Sequence, residues 1–150
     1  MEQSRAIPVD VDTAFARFLP ISPVTLFGRR YGLIRPIKAI RDQTGDWTTV
    51  GQTRTVVPSV GSMHEELIVV DAPNVFRYRL TRVTGPQAAL IDHVDGEFLF
   101  SPIGTGTTVT WRWTVYPKSG AAGLAMPAFA RMWRGVARQG LEQLSGELLR

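Results

Sequence analysis

The chain has 150 residues, 44% hydrophobic and 20% charged, a balance that suits one globular domain with its own core and excludes a disordered or membrane-embedded chain. Lys+Arg total 17 against 13 Asp+Glu for a net charge of +4, yet lysine occurs only at Lys38 and Lys118 and the arginines fall in small groups, each spaced as one solvated face of an element, so no nucleic-acid partner is expected. There is no cysteine, which removes disulfides, iron–sulfur clusters and thiol nucleophiles, and with His64 and His93 the only histidines neither a metal site nor a cofactor is expected.

In chain order, Ser4 to Val9 reads as a short strand that Pro8 confines to an edge or terminus. Asp12 is the expected N-cap of a helix in which Ala14, Phe15, Phe18 and Leu19 recur at helical spacing until Pro20. Ser22-Pro23 then opens a second short helix, with Gly28 as its terminator. From Ile34 to Pro117 the pattern is β. Six strands are expected, roughly Ile34 to Arg41, Gln52 to Pro58, Met63 to Val70, Val75 to Val83, Ala88 to Phe100 and Thr107 to Tyr116. The turns between them carry Gly, Pro, Asp and Asn, and none is long enough for a crossover helix, so the strands form an antiparallel meander.

Alternation assigns faces. Val109, Trp111, Trp113 and Val115 share one face against Thr110, Arg112 and Thr114, and Phe76, Tyr78 and Leu80 oppose Arg77 and Arg79. Val94, Gly96, Phe98 and Phe100 share a face that carries Asp92 inward with them and sends His93 to the other side. After Pro117, Met126, Phe129, Trp133, Val136, Ala137, Leu141, Leu144 and Leu148 form the stripe of a long amphipathic helix, following a looser Gly120 to Met126 segment. Residues Met1 to Arg5 lack the apolar core of a signal peptide, and the charge-free run Ser119 to Ala130 is too short to cross a bilayer. The expectation is a cytoplasmic protein without an integral membrane segment.

One strand, two short helices, six strands and a long helix make an α+β fold in which a curved seven-stranded antiparallel sheet wraps around the C-terminal helix. Any concavity that side chains fail to fill becomes a cavity. The residues resemble a known family in order: Ile7-Pro8-Val9-Asp10-Val11-Asp12, Trp47, Val50-Gly51-Gln52-Thr53-Arg54, Glu66-Leu67-Ile68-Val69-Val70-Asp71-Ala72-Pro73, Phe76-Arg77-Tyr78, Gly106-Thr107-Thr108-Val109-Thr110-Trp111 and the final helix. Over nearly the whole of 1–150 they look like a single START-like helix-grip (SRPBCC) domain of the polyketide cyclase/dehydrase and lipid-transport group. That resemblance implies hydrophobic-ligand carriage, or ring cyclisation and dehydration.

The residues expected to line the cavity are Phe76, Tyr78, Leu80, Phe98, Phe100, Trp111, Trp113, Met126, Phe129 and Trp133. Tyr78 and the tryptophans also bring hydrogen-bond donors. Glu65 and Glu66 are neighbours on a strand, so one faces in. Counting back from the Asp71–Asn74 turn pairs Val70 with Val75 and Glu66 with Arg79, which turns Glu65 inward, although one residue more or less in the loop reverses this. An inward carboxylate in an apolar cavity has a raised pKa and can act as acid or base, so Glu65, Asp92 and Tyr78 are the catalytic candidates. Asp92 needs a partner such as Arg112 or Tyr78 if it is buried. Gly104-Thr105-Gly106-Thr107 lacks the ending of a phosphate loop and reads as a hairpin turn. No nucleophile elbow occurs.

Three readings follow: a carrier of a small hydrophobic or amphipathic molecule, lipid- or polyketide-like; a cyclase/dehydratase-type enzyme using the same cavity; and a module whose basic helix face or sheet edge makes transient contact with a protein or an anionic lipid surface.

Overall fold

The computed structural model describes residues 1–150. Seven antiparallel strands form one sheet in the order β1-β7-β6-β5-β4-β3-β2, made of β1 (Glu2–Ile7), β2 (Ile37–Arg41), β3 (Thr53–Pro58), β4 (Met63–Asp71), β5 (Val75–Thr81), β6 (Ile91–Ile103) and β7 (Gly106–Pro117). Strands β2 to β7 pair in chain order, while β1 crosses to pair with β7, so β1 and β2 are the two edges. Helices α1 (Val11–Phe18) and α2 (Pro23–Leu26) separate β1 from β2, and α3 (Gly120–Leu124) leads into α4 (Met126–Leu148). This is the expected helix-grip arrangement.

Local chemistry accounts for the helix starts. Ser22 caps α2 through its hydroxyl, which accepts from Val24 N, and Pro23 occupies the first turn as expected. The cap of α1 is Asp10 instead of Asp12: the Asp10 backbone is extended and its carboxylate accepts from Thr13 N at 3.0 Å. Asp12 falls one turn position inside, where its charge complements the helix dipole. Two aspartates flanking Val11 look alike to a spacing rule, and the backbone angle of Asp10 decides.

Three register irregularities bend the sheet, between Ile37 and Ala39, between Leu67 and Val69, and between Ile91 and His93. The one in β4 has a direct bearing on the site. The turn is tighter than expected, with Val70 opposite Phe76 instead of Val75, but the extra residue in β4 restores the register and leaves Glu66 opposite Arg79. Glu65 therefore faces inward, as expected, by two compensating departures from the simple count.

The core joins the concave sheet face to α1 and α4. Phe15 and Phe18 pack their rings against Phe100, each at 5.2 Å between centroids, while Leu141, Leu144 and Leu148 of α4 are fully buried. Two glycines let the chain between α2 and β2 lie tightly on α4. A Cβ at Gly135 would stand 2.0 Å from the Tyr31 ring and one at Gly140 2.3 Å from the Phe27 ring. Segment 27–36 thus straps over the helix. No helix is long and apolar enough to cross a membrane.

Candidate functional site

Between the sheet, α4 and the strap lies a cavity of about 350 Å³, within the roughly 300–1,000 Å³ of small-molecule sites. It arises because α1 fills only one end of the concavity, with Phe15, Phe18 and Phe100. The other end is left to side chains from β3 to β7, the strap and the middle turns of α4. Of 30 lining residues 23 are hydrophobic, so the few polar groups among them have outsized weight.

Phe76, Tyr78, Leu80, Phe98, Trp111, Trp113, Phe129 and Trp133 line this cavity. Phe100 and Met126 do not. Phe100 is spent on the α1 contact, and Met126 sits at the first position of α4, before the stretch from Phe129 to Val136 that reaches the cavity. Met63 and Met132 are the methionines in the wall.

The polar centre is Tyr78. Its hydroxyl oxygen accepts from the indole N–H of Trp111 at 2.8 Å and from that of Trp113 at 2.7 Å. Both lone pairs are thereby taken, the proton has no acceptor in the protein, and the group can only donate. Burial, together with the negative charge of Glu65, pushes the phenol well above its ordinary pKa, so it keeps that proton. The ring owes its position to Gly96 directly opposite on β6, where a Cβ would lie 2.2 Å from the ring. The indoles of Trp47 and Trp133, also in the wall, are buried with no acceptor for either N–H.

Glu65 meets a partner that alternation had available but the sequence reading did not use. Arg54, which shares an inward face of β3 with Val56, reaches it with Nε at 2.5 Å from Oε1, and both residues are buried. The guanidinium also lies 3.9 Å over the Trp47 ring and donates to Gln43 Oε1. Burial drives the Glu65 carboxyl above its ordinary pKa, and Arg54 opposes that shift without cancelling it. The strand pattern Arg54, Val56, Pro58 was the signal for this arginine.

Asp92 is not in the cavity. The irregularity between Ile91 and His93 breaks the alternation of β6, so Ile91 joins Val94 inside and Asp92 turns to solvent with its side chain half exposed. It pairs with His93 Nδ1 at 2.7 Å and lies 3.7 Å from Lys118 Nζ, and the His93 hydrogen bond holds its pKa below the ordinary value. Neither Arg112 nor Tyr78 is its partner. His93 itself stacks on Tyr116. Glu66 is exposed opposite Arg79, whose Nε is instead taken by Asp95 at 2.7 Å.

A family model described as "Polyketide cyclase / dehydrase and lipid transport" matches residues 1–148. No curated protein matches the sequence. Among solved structures, the protein TTHA0849 from Thermus thermophilus superposes with a TM-score of 0.73 at 15% identity, over 99% of this chain and 96% of its own. A norcoclaurine synthase point mutant from Thalictrum flavum, in complex with a transition-state analogue, gives 0.71 at 14%, over 99% and 92%. Major latex-like protein 151 from Panax ginseng gives 0.67 at 12%, over 100% and 97%. At these identities the likeness is one of fold.

Proposed function

The chain belongs to the polyketide cyclase / dehydrase and lipid transport family, and from that premise we propose that it encloses a small, largely apolar molecule bearing a neutral oxygen acceptor such as a ketone. The observation that carries this reading is the Tyr78 hydroxyl, fixed by two indole donors and left with a proton to give. A ligand carbonyl completes that bond, while the aromatic walls take up the carbon skeleton. Trp47 and Trp133 add further unmet donors. A free carboxylate fits the interior poorly, because the one buried cation, Arg54, is already committed to Glu65.

Two ligands of one fused-ring skeleton, one with a ketone and one without, test this by quenching of tryptophan fluorescence. The ketone should bind about tenfold more tightly, the value of one well-made buried hydrogen bond, and the difference should vanish in Tyr78→Phe. Equal binding of the pair to the unaltered protein overturns the acceptor requirement. Failure of both to bind overturns the ligand reading itself.

One observation favours an enzymatic second reading. Glu65 is a carboxylate of raised pKa in the same wall as the Tyr78 proton donor. Glu65 would take a proton from the carbon next to the ligand carbonyl while Tyr78 hydrogen-bonds to the enolate oxygen that forms, the first step of a cyclisation or dehydration. Asp92 has no part in it. On this reading Glu65→Gln retains ligand binding and loses turnover; unchanged turnover in that variant removes Glu65 from the chemistry.

A further inference from the structure

The cavity opens through a rim whose charge is one-sided. Leu33 and Arg35 of the strap, Pro58 and Met63 around the β3–β4 turn, and Pro86, Gln87 and Leu90 before β6 border it, with Phe129, Met132 and Val136 of α4 also in the lining. Residues 28–38, 58–63, 82–91 and 119–136 contain these borders and hold not one aspartate or glutamate; all 13 acids lie elsewhere. The strap carries Arg29, Arg30 and Arg35, Lys38 follows on β2, and Arg82, Arg131 and Arg134 come from the other segments. All seven are exposed, and none takes part in an ion pair. Of the arginines in ion pairs, Arg77, Arg79 and Arg112 sit on the outer sheet face, Arg54 is buried with Glu65, and Arg150 pairs with Glu147 at the end of the chain.

Apolar side chains protrude from the same segments. Leu33 is 76% exposed, Leu124 on α3 85%, and Val60 at the β3–β4 turn 42%. Val60 belongs to the rim through its carbonyl, which accepts from Gln87 Nε2. Free cations in segments that also carry exposed apolar tips match a surface that is negative at its face and apolar just beneath. A nucleic acid or an acidic protein surface answers the charge alone.

We infer that this rim seats the cavity mouth on an anionic bilayer. The docking rests on the rim residues and needs no bound ligand, so it stands apart from the cavity reading. In co-sedimentation at low salt, the protein should partition to vesicles of phosphatidylcholine mixed with phosphatidylserine and remain in solution with phosphatidylcholine alone. High salt should release it. Each rim charge removed should weaken partitioning about fivefold, so Arg29→Gln/Arg30→Gln should lose roughly twenty-five-fold. Arg5→Gln/Arg150→Gln, the same change in net charge on residues away from the rim, should bind as before. Leu33→Ser should weaken binding while leaving its salt dependence in place. Thermal melting shows that each variant is folded.

Equal losses in the two double variants would reduce the effect to net charge and overturn the docking surface. Absence of binding to the anionic vesicles, with or without retention on a soluble polyanion such as heparin, would overturn the bilayer as its partner.

Discussion

Tyr78 and Arg54 set the polar chemistry of the cavity wall. Tyr78→Phe removes the oxygen that satisfies two indoles, so it should cost about 2 kcal/mol of stability in denaturant melts as well as the ligand contact. Arg54→Leu leaves the Glu65 carboxylate buried alone and should cost about 3–5 kcal/mol, whereas Arg54→Leu/Glu65→Leu, with neither charge, should recover most of that loss. The pair also imposes a pH dependence. Because the folded pKa of Glu65 is raised, the native chain holds this proton to higher pH than the unfolded chain. Stability from this group is full below the ordinary glutamate value of 4.5 and declines as pH rises through the raised folded value. Glu65→Gln should flatten that part of the stability profile, and an unchanged profile would show that Glu65 titrates normally.

At the scale of elements, what alternation could read and what it could not are separated by bulges. The inward faces of β5 and β7 were legible because Phe76, Tyr78 and Leu80, and Trp111 with Val109, alternate with charged or polar residues over unbroken ladders. In β6 the same rule succeeds from Val94 onward and fails at Asp92, since one register shift reverses every side chain before it. Glu65 was placed correctly although the turn was miscounted, because the irregularity in β4 offset the error. Arg54 escaped notice since a buried arginine is rare enough that its strand neighbours did not suggest it. Packing distinguishes the glycines of α4. Gly146→Ala meets open space and should stabilise by about 1 kcal/mol, while Gly140→Ala drives a methyl into the Phe27 ring and should destabilise despite the same gain in helix propensity. Equal effects of the two in thermal melts would mean that Phe27 does not rest on α4. On β6, Gly96→Ala should displace the Tyr78 ring and cost more ligand affinity than Tyr78→Phe.

The whole molecule is a grip with one packed end and one hollow end. α1 closes the first with phenylalanine rings, and the second is walled by aromatics around a buried hydroxyl, an ion pair and unmet indole donors. Its family membership and its fold agree with enclosure of an apolar molecule, and in the docking we infer the rim charges turn the hollow end toward an anionic surface. The order of elements was legible from turn spacing and the amphipathic last helix; the depth of the cavity was not, because it depends on how far α1 and the strap reach into the concavity. The most direct measurement is gentle-ionisation mass spectrometry of freshly purified protein, followed by solvent extraction of whatever it retains. A one-to-one complex with an apolar, carbonyl-bearing compound is the expected result, with Tyr78→Phe retaining less of it. A bare polypeptide mass, together with no thermal shift across lipid and polyketide panels, would contradict the container and leave the hollow end without a ligand.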